Sequence, residues 1–192
     1  VMHGGGGISV GAHRKGRVVD VNQALDGDGP YTPQRSGGVP AGGVLKMAFS
    51  GKYTLQEIKL KLKGKGGLIA YLGTSDLLFL EHYLDGKPVA QEDIDSLKPG
   101  VDKNFILLCL EGMAYQIAKD ICAAAAVLKG EVDGIVLTGG IIYDRRLTPW
   151  IIERIQWIGK PIFCYPGGDE MASLRDAATR ALTGDEPAKE YD

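Results

Sequence analysis

The sequence predicts an α/β domain with a mixed sheet and flanking helices, on three observations. β-branched runs at 8–13 and 18–22 flank a short turn that contains Gly16, a pattern typical of an antiparallel hairpin. Two later apolar runs, at 134–138 and 161–165, alternate with helical segments, as parallel strands joined by helices do. The composition, with 44% hydrophobic and 24% charged residues among 192, is that of a globular domain.

Five helices are expected from their start and stop signals. The first opens on a capping box formed by Thr54 and Glu57, and the longest ends at Gly130. A segment rich in glycine, proline and serine at 27–43 is expected to be a long loop over a site or a linker, and 85–100 a polar surface insertion. The predicted helices span 54–62, 76–84, 102–129, 148–158 and 169–182.

Charge, hydropathy and cysteine content argue against several classes of partner. The formal net charge of −2 leaves no basic surplus for nucleic acid or anionic lipid. No apolar run reaches the roughly 18 residues of a membrane span. Cys109, Cys122 and Cys164 form no short-spaced pair, which argues against a disulfide framework and a zinc site. We therefore expect a cytoplasmic protein with reduced thiols and neither nucleic acid nor membrane partners.

Glycine is the one abnormal component of the composition, at 28 of 192 residues. The glycine run at 4–7 lies between strand-like segments, and its backbone N–H groups can approach an anion because no Cβ intervenes. This run is either a structural hairpin turn or a phosphate cradle. The dinucleotide-binding pattern G-x-G-x-x-G is absent because Ile8 stands two residues after Gly6, and no Gly-Lys pair precedes Ser or Thr as in a Walker loop.

Three further places in the sequence are candidates for binding parts of a phosphate-bearing ligand or its metal ion. Gly139 and Gly140 follow a buried strand-like run, where they fit a flat base or ribose, or a tight turn into the next helix. Arg35, on a glycine-flanked loop, can grip a phosphate or carboxylate through two nitrogens, or is a solvated loop arginine. Asp169 and Glu170 open a predicted helix, so they either complement the helix dipole or supply oxygen ligands to Mg²⁺.

Motifs spread over nearly the whole chain, among them HGGGGISVGAH, PQRSGG, LTGG and YPGGDEM, carry a family resemblance. They resemble the butyrate kinases, which belong to the acetate kinase group within the superfamily of sugar kinases, heat-shock proteins and actin. The resemblance implies a ribonuclease-H-like (actin-like ATPase) lobe. Because family members are longer, we expect residues 1–192 to be the C-terminal nucleotide-binding lobe, with a truncated first strand and the N-terminal lobe absent. Family members usually have Leu at the position of Gly4, a difference that we expect to loosen the turn.

The resemblance implies an enzyme that uses ATP/ADP and Mg²⁺. It would transfer the γ-phosphoryl group of ATP to a short-chain carboxylate such as butyrate, giving an acyl phosphate. A kinase for acetate, propionate or isobutyrate remains an alternative, as does a nucleotide-binding module without catalysis. The implied partners are the carboxylate, the missing N-terminal lobe and a second copy of the chain in a homo-oligomer. We expect the chain alone to be inactive.

The resemblance also implies roles for individual residues. Asp76 is expected on the nucleotide side, although the Arg that follows two residues later in acetate kinases is replaced here by Leu78. The other implied roles are catalysis by Arg35 and His3, phosphate binding by the amides of Gly5, Gly6 and Gly7, an adenosine pocket at Gly139, Gly140 and Ile141, and Mg²⁺ ligation by Asp169 or Glu170.

Overall fold

A computed structural model describes residues 1–168 and 170–187, without the side chain of Glu170. These residues form a five-stranded mixed sheet with flanking helices, which confirms the predicted fold class. The strands are β1 (Met2–Gly4), β2 (Ile8–Arg14), β3 (Arg17–Val21), β4 (Ile135–Gly139) and β5 (Ile162–Pro166).

The strand order across the sheet is β3-β2-β1-β4-β5. β1 pairs antiparallel with β2, and β2 with β3, whereas β4 lies parallel to both β1 and β5. Parallel neighbours end at the same edge of a sheet, so the chain leaves β1, β4 and β5 at one common edge. Most of the expected binding residues follow these three strands.

The helices within the described residues pack on and around this sheet. None of them is both long and apolar enough to cross a membrane. Their bounds are α1 (Ala41–Ala48), α2 (Leu55–Leu62), α3 (Gly67–Leu72), α4 (Leu77–Asp85), α5 (Gln91–Ser96), α6 (Lys103–Val127), α7 (Leu147–Ile155) and α8 (Glu170–Thr183), with 3₁₀ turns at Ala24–Asp26, Gly140–Tyr143 and Gln156–Ile158.

The helices with strong capping signals begin where the sequence predicts. The Thr54 N–H donates to Glu57 Oε2 at 2.7 Å and the Glu57 N–H donates to Thr54 Oγ1 at 3.2 Å, which completes the capping box of α2. Asp76 and Asp102 cap α4 and α6 in the same way, each accepting a backbone N–H from three residues ahead. Each such side chain stabilises its helix by about 1 kcal/mol.

The sequence does not predict α1, α3 or α5. The 27–43 segment runs into α1, and 85–100 is a helix-containing connection rather than a purely polar loop. α1 contains Gly42 and Gly43, each of which disfavours a helix by about 1 kcal/mol relative to alanine. α3 starts at Gly67 with a left-handed φ of +59°. Local propensity therefore points away from helix at positions where the tertiary structure forms one.

The core lies between the sheet and the long helix α6, with α7 packed beside α6. Full burial of each large apolar side chain here contributes about 2 kcal/mol. The fully buried side chains of the sheet and α6 include Met2, Ile8, Leu137, Ile106, Leu110, Met113 and Ile117.

Tyr31 ties the long loop to α6. Its hydroxyl donates to the Cys109 carbonyl, and its N–H donates to Gln116 Oε1 at 2.9 Å. Burial raises the pKa of the Tyr31 hydroxyl, so this donor keeps its proton at neutral pH. The part of the loop that follows Tyr31 is therefore held against the core.

Gly139, at the end of β4, touches the backbone of Gly4, at the end of β1. Its φ is +94°, a conformation that glycine adopts at little cost, and a Cβ built on it would overlap the Gly4 carbonyl oxygen. The ends of the two parallel strands can approach this closely because Gly139 has no side chain.

We expect Gly139→Ala to lower the free energy of unfolding of the chain by about 4 kcal/mol, because relief of the overlap would disrupt the β1–β4 pairing. Gly16→Ala is the matched control, since Gly16 also has a positive φ (+76°) but has nothing within 4 Å. That control should lose only roughly 1–2 kcal/mol from the strained backbone. Urea unfolding compares the two variants, and equal losses would contradict the importance of the close approach.

Candidate functional site

A cavity of about 300 Å³ opens at the edge of the sheet where β1 and β4 end. It unites five predicted residues: two from the glycine loop, two after β4, and Asp76 at the start of α4. Its lining residues are Gly5, Gly6, Pro33, Gln34, Ser75, Asp76, Leu77, Gly140 and Ile141. The topology explains this convergence, because parallel neighbours place their C-terminal loops together.

The glycine run forms the tight connection of the β1–β2 hairpin. The Gly5 N–H donates to the Gly7 carbonyl oxygen at 2.8 Å, so this amide is engaged inside the loop and would have to change partner to bind a phosphate. Gly6 is exposed at the tip, where it lines the cavity. The hairpin interpretation is thus confirmed, and it leaves the phosphate cradle open as a use of the same turn.

Gly4 belongs to strand β1 and not to the turn. A Cβ built on Gly4 would lie 2.8 Å from Met2 Cε and 3.1 Å from Ile141 Cβ. The missing side chain leaves room for Ile141 to cover the strand, and the expectation that Gly4 loosens the turn stays a prediction. Ile141 itself is 1% exposed, so it lines the cavity from within the core.

The guanidinium of Arg35 lies directly against Gly7. A Cβ built on Gly7 would be 2.5 Å from Arg35 Cζ, and Arg35 Nη1 donates to the Ala24 carbonyl at 2.8 Å. The arginine is partly buried and its guanidinium is held by this hydrogen bond, which favours a positioned side chain over a solvated loop arginine. It lies beside the glycine loop and does not line the cavity itself.

His3 lies in β1 immediately before the glycine run. It is partly buried, and its backbone stands opposite Ser9 of β2 and Thr138 of β4. The Thr138 hydroxyl donates to the Gly167 carbonyl at 3.2 Å. Gly139 and Gly167 also exchange backbone hydrogen bonds of 3.0 and 2.9 Å, which fastens the end of β4 to the residues after β5.

Asp76 has a structural role that the family resemblance does not indicate. Its Oδ1 accepts the Phe79 N–H at 2.9 Å and so caps α4, while the residue also lines the cavity. The same helix is fixed at its other end by Asp85, which pairs with Arg146 and, at 3.1 Å, with Lys87. The hydrogen bonds from Arg146 and Lys87 lower the pKa of the Asp85 carboxyl group. These contacts hold α4 against the segment that follows the Gly140–Tyr143 turn.

The proposed metal ligands cannot be placed: Asp169 and the side chain of Glu170 lie outside the described residues. Within residues 1–168 and 170–187, no group of three or more His, Cys, Asp or Glu side chains is arranged to hold a metal ion. The described part of the site therefore offers glycine amides and an arginine for an anion, but no preformed metal centre.

Gln34 and Ser75 line the cavity and are missed by sequence reasoning. A Cβ built on Gly6 would be 3.4 Å from Gln34 Oε1, and Gln34 Nε2 donates to Ser75 Oγ at 3.5 Å. Gln34 thereby spans the cavity from the arginine loop to the start of α4. Gln34 had a sequence signal, since it stands beside Arg35 in the PQRSGG motif, whereas Ser75 was indicated only by its position before Asp76.

Comparison with solved structures shows the same fold in carboxylate kinases. The acetate kinase of Porphyromonas gingivalis matches 93% of this chain with a TM-score of 0.73 at 20% identity, and the match covers 47% of that protein. A propionate kinase from Francisella tularensis matches 88% of the chain with a TM-score of 0.66 at 19% identity, covering 46% of that protein. At these identities the likeness shows the fold alone.

Comparison with known sequences finds butyrate kinases that are similar to this chain. No protein-family model matches the chain. A probable butyrate kinase of Elusimicrobium minutum is 48% identical over 192 residues, which are 100% of this chain and 50% of that protein. Butyrate kinase 2 of Clostridium acetobutylicum is 45% identical over 191 residues, or 49% of its length. The chain spans about half the length of these curated relatives, and over that length it is similar to the butyrate kinases from end to end.

Proposed function

We propose that this chain is the C-terminal, nucleotide-binding half of a kinase that transfers the γ-phosphoryl group of ATP to butyrate. The observation that carries the proposal is the cavity that joins the glycine loop after β1 to Gly140 and Ile141 after β4. This is the edge where α/β sheets bind ligands. Butyrate kinases at 45–48% identity over the whole chain support the same assignment.

The chemistry suits a site made of amides and an arginine. A carboxylate is already anionic at neutral pH, so no general base is needed to produce the nucleophile. The obstacle is the repulsion between this anion and the polyanionic phosphates. Catalysis then depends on holding the reactants in line and on neutralising charge as the phosphoryl group moves.

In this proposal Arg35 steadies the transferring phosphoryl group and the acyl carboxylate. Its position against Gly7 supports this role, because a phosphate held by the glycine loop would meet the guanidinium at once. His3, at the start of the same loop, would lie beside the phosphates. Gly139, Gly140 and Ile141 would line the adenosine pocket.

Magnesium would accompany the nucleotide. A Mg²⁺ ion takes oxygen ligands and commonly binds through one or two carboxylates together with substrate phosphates. The glycine loop and Arg35 would bind the phosphates that carry the ion, and Asp169 or Glu170 would supply the carboxylate ligand. The ion would neutralise charge on the β- and γ-phosphates.

The missing wall of the cleft would come from the N-terminal half of the same enzyme. Large apolar side chains on β5 and α8 support a partner there: Phe163 is 46% exposed, Tyr165 60%, Met171 78% and Leu174 66%. A second copy of the chain could cover the same residues in a homo-oligomer. We place the enzyme in the cytoplasm, where ATP is available and the free thiol of the buried Cys109 would stay reduced.

Acetate or propionate is the second candidate acceptor. The described cavity does not discriminate, since its lining is on the nucleotide side. Comparison of kcat/KM for butyrate, isobutyrate, propionate and acetate with the full-length protein decides between them.

In the full-length protein, Arg35→Ala should lower kcat for butyryl phosphate formation by at least about 100-fold, as loss of a preorganised charge-stabilising group does. Arg35→Lys should not restore it, because an ammonium cannot contact two oxygens in one plane. Steady-state kinetics with ATP, Mg²⁺ and butyrate measure both. A kcat of Arg35→Ala within a few-fold of wild type would remove the arginine from the reaction.

The 192-residue chain by itself should form no acyl phosphate. In-line transfer requires the reacting atoms within about 3–3.5 Å, and water entering an open cleft weakens the electrostatic contacts. Calorimetry should detect ADP or ATP binding no tighter than about the millimolar range, near −4 kcal/mol. Robust turnover by the chain would contradict the proposed division of the active site.

Substitution of Asp76 separates its capping role from a nucleotide contact. Asp76→Ser keeps a capping oxygen, so the thermal stability of the full-length protein should remain close to that of wild type, whereas Asp76→Ala should lose about 1 kcal/mol. Because Leu78 replaces the arginine found in acetate kinases, we expect the KM for ATP to be unchanged in Asp76→Ser. A several-fold rise in that KM with unchanged stability would instead assign the carboxylate to the nucleotide.

A further inference from the structure

Thr32 is a buried polar residue, 2% exposed, located between the glycine loop and Arg35. Its Oγ1 donates to the Gly6 carbonyl oxygen at 2.7 Å. The same oxygen accepts the N–H of Gln34 at 3.1 Å and the N–H of Arg35 at 2.9 Å. One hydroxyl thus joins the tip of the glycine loop to the backbone of the arginine loop.

These three hydrogen bonds use the whole capacity of the hydroxyl. A threonine hydroxyl has one donor and two acceptor sites, and all three are occupied here. It has nothing left to offer a ligand, so its role is to hold two segments together. Valine has the same shape but can make none of these hydrogen bonds. Serine keeps the hydroxyl, with its one donor and two acceptor sites.

The backbone of Thr32 is fixed to the rest of the fold. Its N–H donates to the Arg35 carbonyl at 3.0 Å, and its own carbonyl accepts the Leu68 N–H at 3.1 Å in the first turn of α3. A Cβ on Gly67 would overlap that carbonyl oxygen, so α3 packs on Thr32 as closely as backbone permits. Tyr31, the preceding residue, is bound to α6. Because Thr32 is fixed to α3 and its neighbour Tyr31 to α6, its hydrogen bonds hold the glycine loop and the arginine loop in place relative to these helices.

We propose that Thr32 is a positioning residue for phosphoryl transfer, whose hydroxyl sets the distance between the glycine loop and the guanidinium of Arg35. This inference rests on the proposed function, in which the glycine loop holds the phosphates and Arg35 steadies the transferring group. Without the hydroxyl no hydrogen bond joins the two loops at Thr32. The guanidinium of Arg35 is then displaced from the position at which it contacts the transferring phosphoryl group. The adenosine pocket after β4 makes no contact with the hydroxyl, so nucleotide affinity changes less than turnover.

The test uses the full-length protein and compares Thr32→Val with Thr32→Ser. Thr32→Val should lower kcat by at least about tenfold, since small displacements of reacting groups cost this much or more, while the KM for ATP changes less than about threefold. Thr32→Ser should restore kcat to within about threefold of wild type because it keeps all three hydrogen bonds. The matched control is Thr54→Val, which removes an exposed capping hydroxyl from α2 and should leave kcat unchanged.

Circular dichroism and thermal unfolding establish that each variant is folded. If Thr32→Val does not fold, Thr32→Cys is used in its place. A thiol is similar in size but a weak donor, so the kcat of Thr32→Cys should lie below that of Thr32→Ser and above one tenth of the wild-type value. A folded valine or cysteine variant with wild-type kcat overturns the inference, as does a loss of kcat that serine fails to restore. A wild-type enzyme without carboxylate kinase activity overturns the proposed function itself, and the inference with it.

Discussion

The contact between Gly139 and the backbone of Gly4 is the constraint on which the candidate site depends. β1 and β4 are parallel neighbours, and their ends meet without a side chain between them. Because of this contact, the glycine loop after β1 and the Gly140–Tyr143 turn after β4 form adjacent walls of one cavity. A side chain at Gly139 would separate those walls, since it would overlap the backbone of Gly4 and the surrounding interior is too closely packed to absorb it.

A second set of contacts fixes the arginine loop against this edge. Tyr31 is bound to α6, Thr32 is bound to α3, and the Thr32 hydroxyl reaches the glycine loop. Arg35 then lies against Gly7 with its side chain held by the Ala24 carbonyl. A charged group that neutralises a moving phosphoryl group must be placed in advance, because reorganisation during the reaction costs energy. The hydrogen bonds around Thr32 provide such placement through the backbone.

The proposed reaction would also account for the lining of the described cavity, in which Asp76 is the only charged side chain. Transfer to a carboxylate needs no base, so glycine amides, an arginine and charge neutralisation are sufficient on the nucleotide side. In this proposal, exclusion of water and the acyl pocket would be left to the opposing lobe. The exposed apolar side chains of β5 and α8 are where such a lobe would find a surface to cover.

The sequence by itself determined the fold class, the resemblance to butyrate kinases, the β2–β3 hairpin, the strands β4 and β5, and the helices with strong caps. These follow from hydrophobic period, capping residues and motif order, all of which are local. It also identified five of the nine residues that line the cavity, although not that they meet: only the strand order β3-β2-β1-β4-β5 brings positions near 5, 76 and 140 together. The tertiary structure alone decided that Gly4 makes room for Ile141 and that Asp76 both caps a helix and lines the cavity. It also revealed Thr32 and Gln34 and the helices α1, α3 and α5. The physical reason is that these features arise where segments distant in sequence touch. The close approach of two backbones and the full use of a hydroxyl's hydrogen-bonding sites leave no local sequence pattern.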